Sequence, residues 1–241
     1  MASSSRTKPW SRTRSVFWGI TSCVTATWPS VTGPYVGASG WSYPSWRPEF
    51  YPAGTDPKEF LRFYAERFRT VELNTTGYRL PAEEQFHRWA EQTPPGFLFA
   101  PKLPGNRVGM VAEFSARALA LGDRLGPVRV QLTSARDEGM LELLLGALDP
   151  QLRLAFDLAH PSWDGVETRL AQAGAVRVND LETEAPFRYV RFRDPPYSEE
   201  DLAIFAERLR GRAEPVFAYF RHEDEPTAPR YAGRLLELLD A

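Results

Sequence analysis

Cysteine is almost missing from this chain: its 241 residues include one, Cys23. An intrachain disulfide is therefore excluded, and so is a metal cage built on thiolates. Histidine is scarce too, with only His87, His160 and His222, which leaves a multi-zinc site short of imidazole ligands. No stretch approaches the roughly 20 apolar residues that cross a bilayer as a helix. No nucleophile elbow, Gly-rich phosphate loop or dinucleotide fingerprint is present, and Gly37-Ala38-Ser39-Gly40 lacks the spacing of the glycine motifs. The sequence shows no internal repeat and no linker dividing its body. A cytoplasmic protein without a membrane partner is the expectation, and the oligomeric state stays open.

Charge of one sign is scarce as well, since the net charge is −2. That small figure hides an asymmetry. Residues 1–34 carry Arg6, Lys8, Arg12 and Arg14 and no acid, so 25 of the 29 basic residues remain beside all 31 acids, a net of −6. A body of that charge disfavours a broad nucleic-acid surface but permits a local basic pocket. The first 34 residues are rich in Ser and Thr without periodicity, and are expected to be a disordered basic extension. Ile20-Thr21-Ser22-Cys23 loosely resembles a lipoprotein cleavage box, but its apolar lead is short and interrupted by Trp18-Gly19. A misassigned start near Val31 is the favoured reading.

What is present from Tyr35 onward is alternation. Short apolar runs at Tyr35–Ser39, Thr70–Asn74, Phe97–Lys102, Val128–Gln131, Leu152–Asp157, Ala175–Asn179, Phe187–Arg193 and Val216–Phe220 read as strands. Amphipathic stretches at Pro57–Phe68, Ala82–Gln92, Ala112–Leu125, Met140–Leu148, Val166–Ala173, Glu199–Leu209 and Ala228–Leu239 read as helices. Strands alternating with helices predict βα units on a parallel sheet, here a single (β/α)₈ TIM-type barrel over residues 35–241. The connection after the sixth strand is too short for a full helix.

Strand side chains alternate between faces, and the face against the helices should be apolar. That rule turns Glu72, Asn74, Lys102, Arg129, Gln131, Arg153, Asp157, Arg177, Asn179, Arg191, Arg193, Tyr219 and Arg221 inward. The set holds seven basic residues against two acids. Burying unpaired charge is costly, so part of this set should neutralise Glu72 and Asp157 and the rest should meet water or an anion.

Several segments resemble one family. They are Val36-Gly37-Ala38-Ser39-Gly40-Trp41-Ser42-Tyr43, Trp46, Phe50-Tyr51-Pro52, Val71-Glu72-Leu73-Asn74-Thr75-Thr76 with Tyr78, Phe97–Pro101 followed by Lys102, and His160-Pro161-Ser162-Trp163. The chain is similar to the YecE-like family, also known as domain of unknown function 72. The resemblance covers nearly everything from Tyr35 to Leu239. It implies a TIM-type barrel and a soluble bacterial or archaeal protein, and carries no established reaction. The family commonly has an aromatic at Gly77, a Glu at Asp157 and an Arg at Ala159.

The candidate catalytic residues are Glu72, Asp157 and His160. Two facing carboxylates suit acid–base work as in glycoside cleavage, or else each neutralises an arginine; His160 suits a general acid or base near neutrality, or a structural loop. Candidate ligand-binding residues are Trp41, Tyr43, Asn74, Tyr78, Lys102, Gln131, Asn179, Arg191, Arg221 and His222. Trp41 and Tyr43 offer rings for a base or sugar to stack on. The expected function is an enzyme, a hydrolase or phosphodiesterase by class, acting on an anionic or phosphate-bearing small molecule at the strand C-termini. One alternative is a metal-dependent nuclease resembling endonuclease IV, with a single divalent ion among Glu72, Asp157, His160, Asp180, His222 and Glu223. Another is a non-catalytic ligand-binding protein. No cofactor is required by the sequence.

Overall fold

The computed structural model describes residues 33–105 and 108–241. The expectations for the basic extension therefore lie outside the described residues, apart from its last two. The elements run β1 Tyr35–Ala38, α1 Phe60–Ala65, β2 Thr70–Leu73, α2 Glu83–Glu91, β3 Leu98–Pro101, α3 Val111–Leu119, β4 Val128–Leu132, α4 Glu138–Ala147, β5 Leu154–Leu158, α5 Glu167–Gln172, β6 Val176–Arg177, β7 Arg188–Phe192, α6 Glu199–Leu209, β8 Val216–Phe220 and α7 Thr227–Asp240. No helix joins β6 to β7, as the short connection required. The helix expected over Ala112–Leu125 stops early, because Gly122 takes a left-handed φ of 52° and starts a separate turn. α6 begins where Ser198 and Asp201 form a reciprocal capping box. Among the described residues, no helix is long and apolar enough to cross a membrane.

The fold is mixed α/β, and its strands pair in parallel. The ladders form three sheets, β1-β8-β7, β2-β3 and β4-β5-β6, rather than the single closed ring that the sequence suggested. The seams have local causes. Gly37 lies so close to β2 that a Cβ there would meet the Thr70 carbonyl oxygen at 2.3 Å. The Tyr64 hydroxyl fills this seam, accepting the Ala38 N–H at 2.7 Å and donating to the Thr70 carbonyl at 3.1 Å. A side chain from α1 thus stands where ladder bonds would run. Between β3 and β4, the Gly126 N–H reaches the Phe99 carbonyl at 2.7 Å. Between β6 and β7, Asn179, at a left-handed φ of 67°, pairs its side-chain amide with both peptide groups of Arg191.

The three sheets share one core. Tyr35, Leu98, Ala155, Val176, Tyr189 and Tyr219 pack together from β1, β3, β5, β6, β7 and β8. The opposite strand faces pack on the helices in two further apolar clusters. Tyr64→Phe removes the only hydrogen-bond acceptor found for the buried Ala38 N–H among the described residues. Leaving a buried donor unmet costs about 1–3 kcal/mol, and urea unfolding of the variant should show a loss of that size with the slope unchanged.

Candidate functional site

Strand parity builds the site. On four strands, the residues in or against the shared core continue toward the C-terminal end as polar side chains: Thr70, bonded to the Tyr219 hydroxyl, then Glu72; Leu98 and Ala100 then Lys102; Ala155 then Asp157; Tyr189 then Arg191. The charged groups meet one layer above the apolar core.

Arg129 stands at the centre, 1% exposed, between Glu72 at 0% and Asp157 at 2%. Its Nε donates to Asp157 Oδ2 at 2.9 Å, and its Nη1 lies 3.4 Å from Glu72 Oε1. Arg191 Nη2 approaches the same Glu72 oxygen at 2.9 Å, and the Tyr189 hydroxyl donates to Glu72 Oε2 at 2.7 Å. Arg193 holds Asp157 Oδ1 at 2.5 Å. Both candidate carboxylates are therefore engaged by arginine, and by the same one. This arrangement matches the neutralising role weighed for them, and the two are linked through a shared guanidinium.

Burial alone would raise the Asp157 pKa, but Arg129 and Arg193 outweigh it and hold the group below its ordinary 3.8. A carboxyl depressed in the folded state stabilises the fold above its unfolded pKa, and that contribution is lost as pH falls through the folded value. Stability from this group is therefore expected to hold down to 3.8 and to fall at lower pH. Urea titrations at a series of acidic pH values check this, and Asp157→Asn should flatten the acid limb. An equally steep limb in that variant counts against the assignment.

Positive charge is left over. Lys102, Arg129, Arg191 and Arg193 face Glu72 and Asp157, so four cations against two carboxylates leave an excess of two. Among the described residues, no carboxylate pairs with Lys102 or Arg221, and the buried Nε atoms of Arg191 and Arg193 have no hydrogen-bond partner. Burial and the nearby Arg129 push the Lys102 pKa below the ordinary lysine value, although Glu72 opposes them. The Lys102 stem runs over Gly77, where a Cβ would come within 2.7 Å of Lys102 Cδ. Its ammonium lies 5.4 Å from the centre of the exposed Tyr78 ring.

His222 joins from beyond β8. Its backbone N–H donates to Ser39 Oγ at 3.0 Å, its Nδ1 lies 3.2 Å from the same oxygen, and its ring stacks on Tyr43 at 4.7 Å. Burial, then Arg191 and Arg221, lower its pKa. Beside this group lies a cavity of about 450 Å³ whose wall includes Trp41, Tyr43, Glu72, Asn74 and Trp89.

The structure thus gathers Glu72, Asp157, Lys102, Gln131, Arg191, Tyr43 and His222 at the strand C-termini, with Trp41 and Asn74 in the adjoining cavity. The inward placement of Arg177 and Arg153 is corrected, and the other candidates make local contacts. Arg177 faces away from the core and pairs with Asp164 and Glu167, because Val176 and Val178 take the inward positions on β6. Arg153 precedes β5 and so lies at the opposite end of the strand. Asn179 is committed to the β7 backbone. His160 is exposed, and its Nδ1 accepts the Ser162 N–H, capping a turn. Arg221 reaches the Arg193 carbonyl at 3.3 Å. Asp180 accepts the Glu182 and Thr183 N–H groups, and Glu223 accepts the Thr227 hydroxyl. Among the described residues, no three His, Cys, Asp or Glu side chains converge as metal ligands. Sequence reasoning missed Ser39, Tyr189 and Trp89 as site residues. The parity that places Arg191 inward places Tyr189 with it, and this signal was available.

A family described as proteins of unknown function, DUF72, matches residues 35–241. The UPF0759 protein YecE of Escherichia coli K12 and that of Escherichia coli O157:H7 are each 31% identical over 141 residues, covering 54% of this chain and 49% of theirs. The matched segment thus spans about half the length of these curated relatives. Two crystal structures of a DUF72 family protein from Enterococcus faecalis V583 share the fold at 17% identity. One has a TM-score of 0.69 over 78% of this chain and 96% of that one; the other has 0.71 over 85% and 94%.

Proposed function

The chain belongs to the DUF72 family, and from that premise we propose that it is an enzyme acting on an anionic, phosphate-bearing small molecule at the C-terminal ends of its strands. We also take the three sheets as arcs of one closed eight-stranded barrel. The bridging of their seams by Tyr64, Gly126 and Asn179 supports that reading, as does their single shared core.

The observation that carries the functional reading is the excess of two cations around two carboxylates already engaged. Lys102 supplies a point charge without a carboxylate partner, and Arg191 presents a buried Nε without an acceptor. A phosphate oxygen satisfies both through charge-assisted hydrogen bonds. Glu72 is the acid–base candidate, since it lines the cavity and is steered by Arg191 and Tyr189. His222 replaces His160 as the imidazole beside the anion, with its Nδ1 engaged at Ser39 and its ring fixed by Tyr43.

Calorimetric titration with inorganic phosphate and a panel of small phosphoesters tests the proposal. Binding that weakens with added salt is expected, together with release of phosphate or alcohol from at least one member. Glu72→Gln should slow that turnover by about 100-fold or more, the scale of one positioned acid–base group. Binding without turnover of any ester favours a ligand-binding protein, and no binding sinks the reading.

A further inference from the structure

The 450 Å³ cavity beside the charged cluster has one cation in its wall, Lys58, and none of the cluster's arginines. Its wall is formed by Trp41 and Tyr43 after β1, Leu61 of α1, Glu72 of β2, and Gln85 and Trp89 of α2. We propose that it is a subsite for a planar nitrogen heterocycle, so that the phosphate-bearing ligand is a mononucleotide. The anionic half of this inference rests on the function proposed above; the cavity half stands on its own geometry.

Three observations carry it. The first is shape. The Trp41 and Trp89 rings meet at 5.4 Å and 89°, which makes a rigid corner: one indole offers a face to a flat ring and the other offers an edge. Trp41 and Trp89 both pack on Phe99, each with ring centres 6.2 Å apart, so the corner is fixed before any ligand arrives. The volume falls within the range of small-molecule sites, roughly 300–1,000 Å³.

The second is hydrogen-bonding character. The half-buried Asn74 also lines the cavity, and among the described residues its side-chain amide makes no hydrogen bond. An amide presents a donor and an acceptor together, which matches the mixed edge of a nucleobase. The wall's other polar groups, Ser42, Thr75, Gln85 and Gln92, suit sugar hydroxyls as well, so the paired indoles decide for a flat ring. The one carboxylate in the wall, Glu72, is already engaged by Tyr189, Arg191 and Arg129.

The third is continuity. Glu72 lines the cavity and holds Arg191, and Tyr43 lines the cavity and stacks on His222. A ring seated in the cavity therefore lies next to the cations, with a short linker between base and phosphate.

The test compares inorganic phosphate, ribose 5-phosphate, adenosine and the four ribonucleoside 5′-monophosphates, by calorimetry and by tryptophan fluorescence. The tightest monophosphate is expected to bind about tenfold or more better than ribose 5-phosphate, the scale of one stacked base. Trp89→Leu should abolish that advantage and leave phosphate affinity unchanged. Should Trp89→Leu lose its fold by circular dichroism, Asn74→Ala serves instead, with a smaller loss of the same advantage. Ribose 5-phosphate binding as tightly as every nucleotide overturns the heterocycle assignment. Adenosine binding while phosphate does not keeps the subsite and removes the anion site. Phosphate binding with no gain from any base does the reverse, and binding of neither removes both.

Discussion

Arg129→Leu is expected to cost about 3–5 kcal/mol of stability, the usual penalty for removing one partner from a buried ion pair. Arg129 is the central cation between two carboxylates that are themselves nearly inaccessible. Burial works against the cation, but Glu72 and Asp157 outweigh it and hold its pKa above the ordinary arginine value. Without Arg129, Glu72 keeps Arg191 and Tyr189, and Asp157 keeps Arg193, yet the two acids lose the charge between them. For a domain of this size the melting temperature should fall by roughly 6–20 °C. Adding Glu72→Gln and Asp157→Asn to the leucine variant should deepen the loss, because Arg191 and Arg193 then lose their carboxylates as well. A loss below about 1 kcal/mol for Arg129→Leu alone would show that the cluster is hydrated and weak.

Arg191→Ala is expected to weaken phosphate binding by about 10- to 100-fold, which corresponds to one or two charge-assisted hydrogen bonds. Arg191 differs from Arg129 in having a buried Nε still without an acceptor, so part of its donor set is available to a ligand. Arg191→Lys should recover only some of the affinity, since an ammonium keeps the charge but not the fork. Its side chain is 9% exposed, so the stability of each variant must be measured beside the calorimetric titration. A dissociation constant that does not move in a folded Arg191→Ala protein would assign the anion to Lys102 and Arg221 instead.

Much of this was legible in the amino-acid order. The βα alternation located all eight strands. The parity of β2, β3, β5 and β7 put Glu72, Lys102, Asp157 and Arg191 on one face. The rule behind that reading is local: neighbouring side chains on a strand point opposite ways, and only apolar ones suit the helices. It failed on β6. There the apolar Val176 and Val178 turn inward, and Arg177 finds two acids, Asp164 and Glu167, on the outer side. An outward arginine is stable when carboxylates wait for it, and their approach depends on how α5 packs.

His160 shows the same limit. Its position after a strand suggested chemistry; what the structure adds is that its Nδ1 accepts a neighbouring peptide N–H, a bond decided by loop geometry. The sequence by itself determined the alternating architecture and the charged character of the strand ends, because both follow from periodicities of a few residues. Only the tertiary structure decided which charges cancel. Arg129 reaches acids 57 and 28 positions away, and Trp89 of α2 meets Trp41 in the loop after β1. Partnerships at that separation depend on packing, and they distinguish the paired arginines from the cations left for an anion.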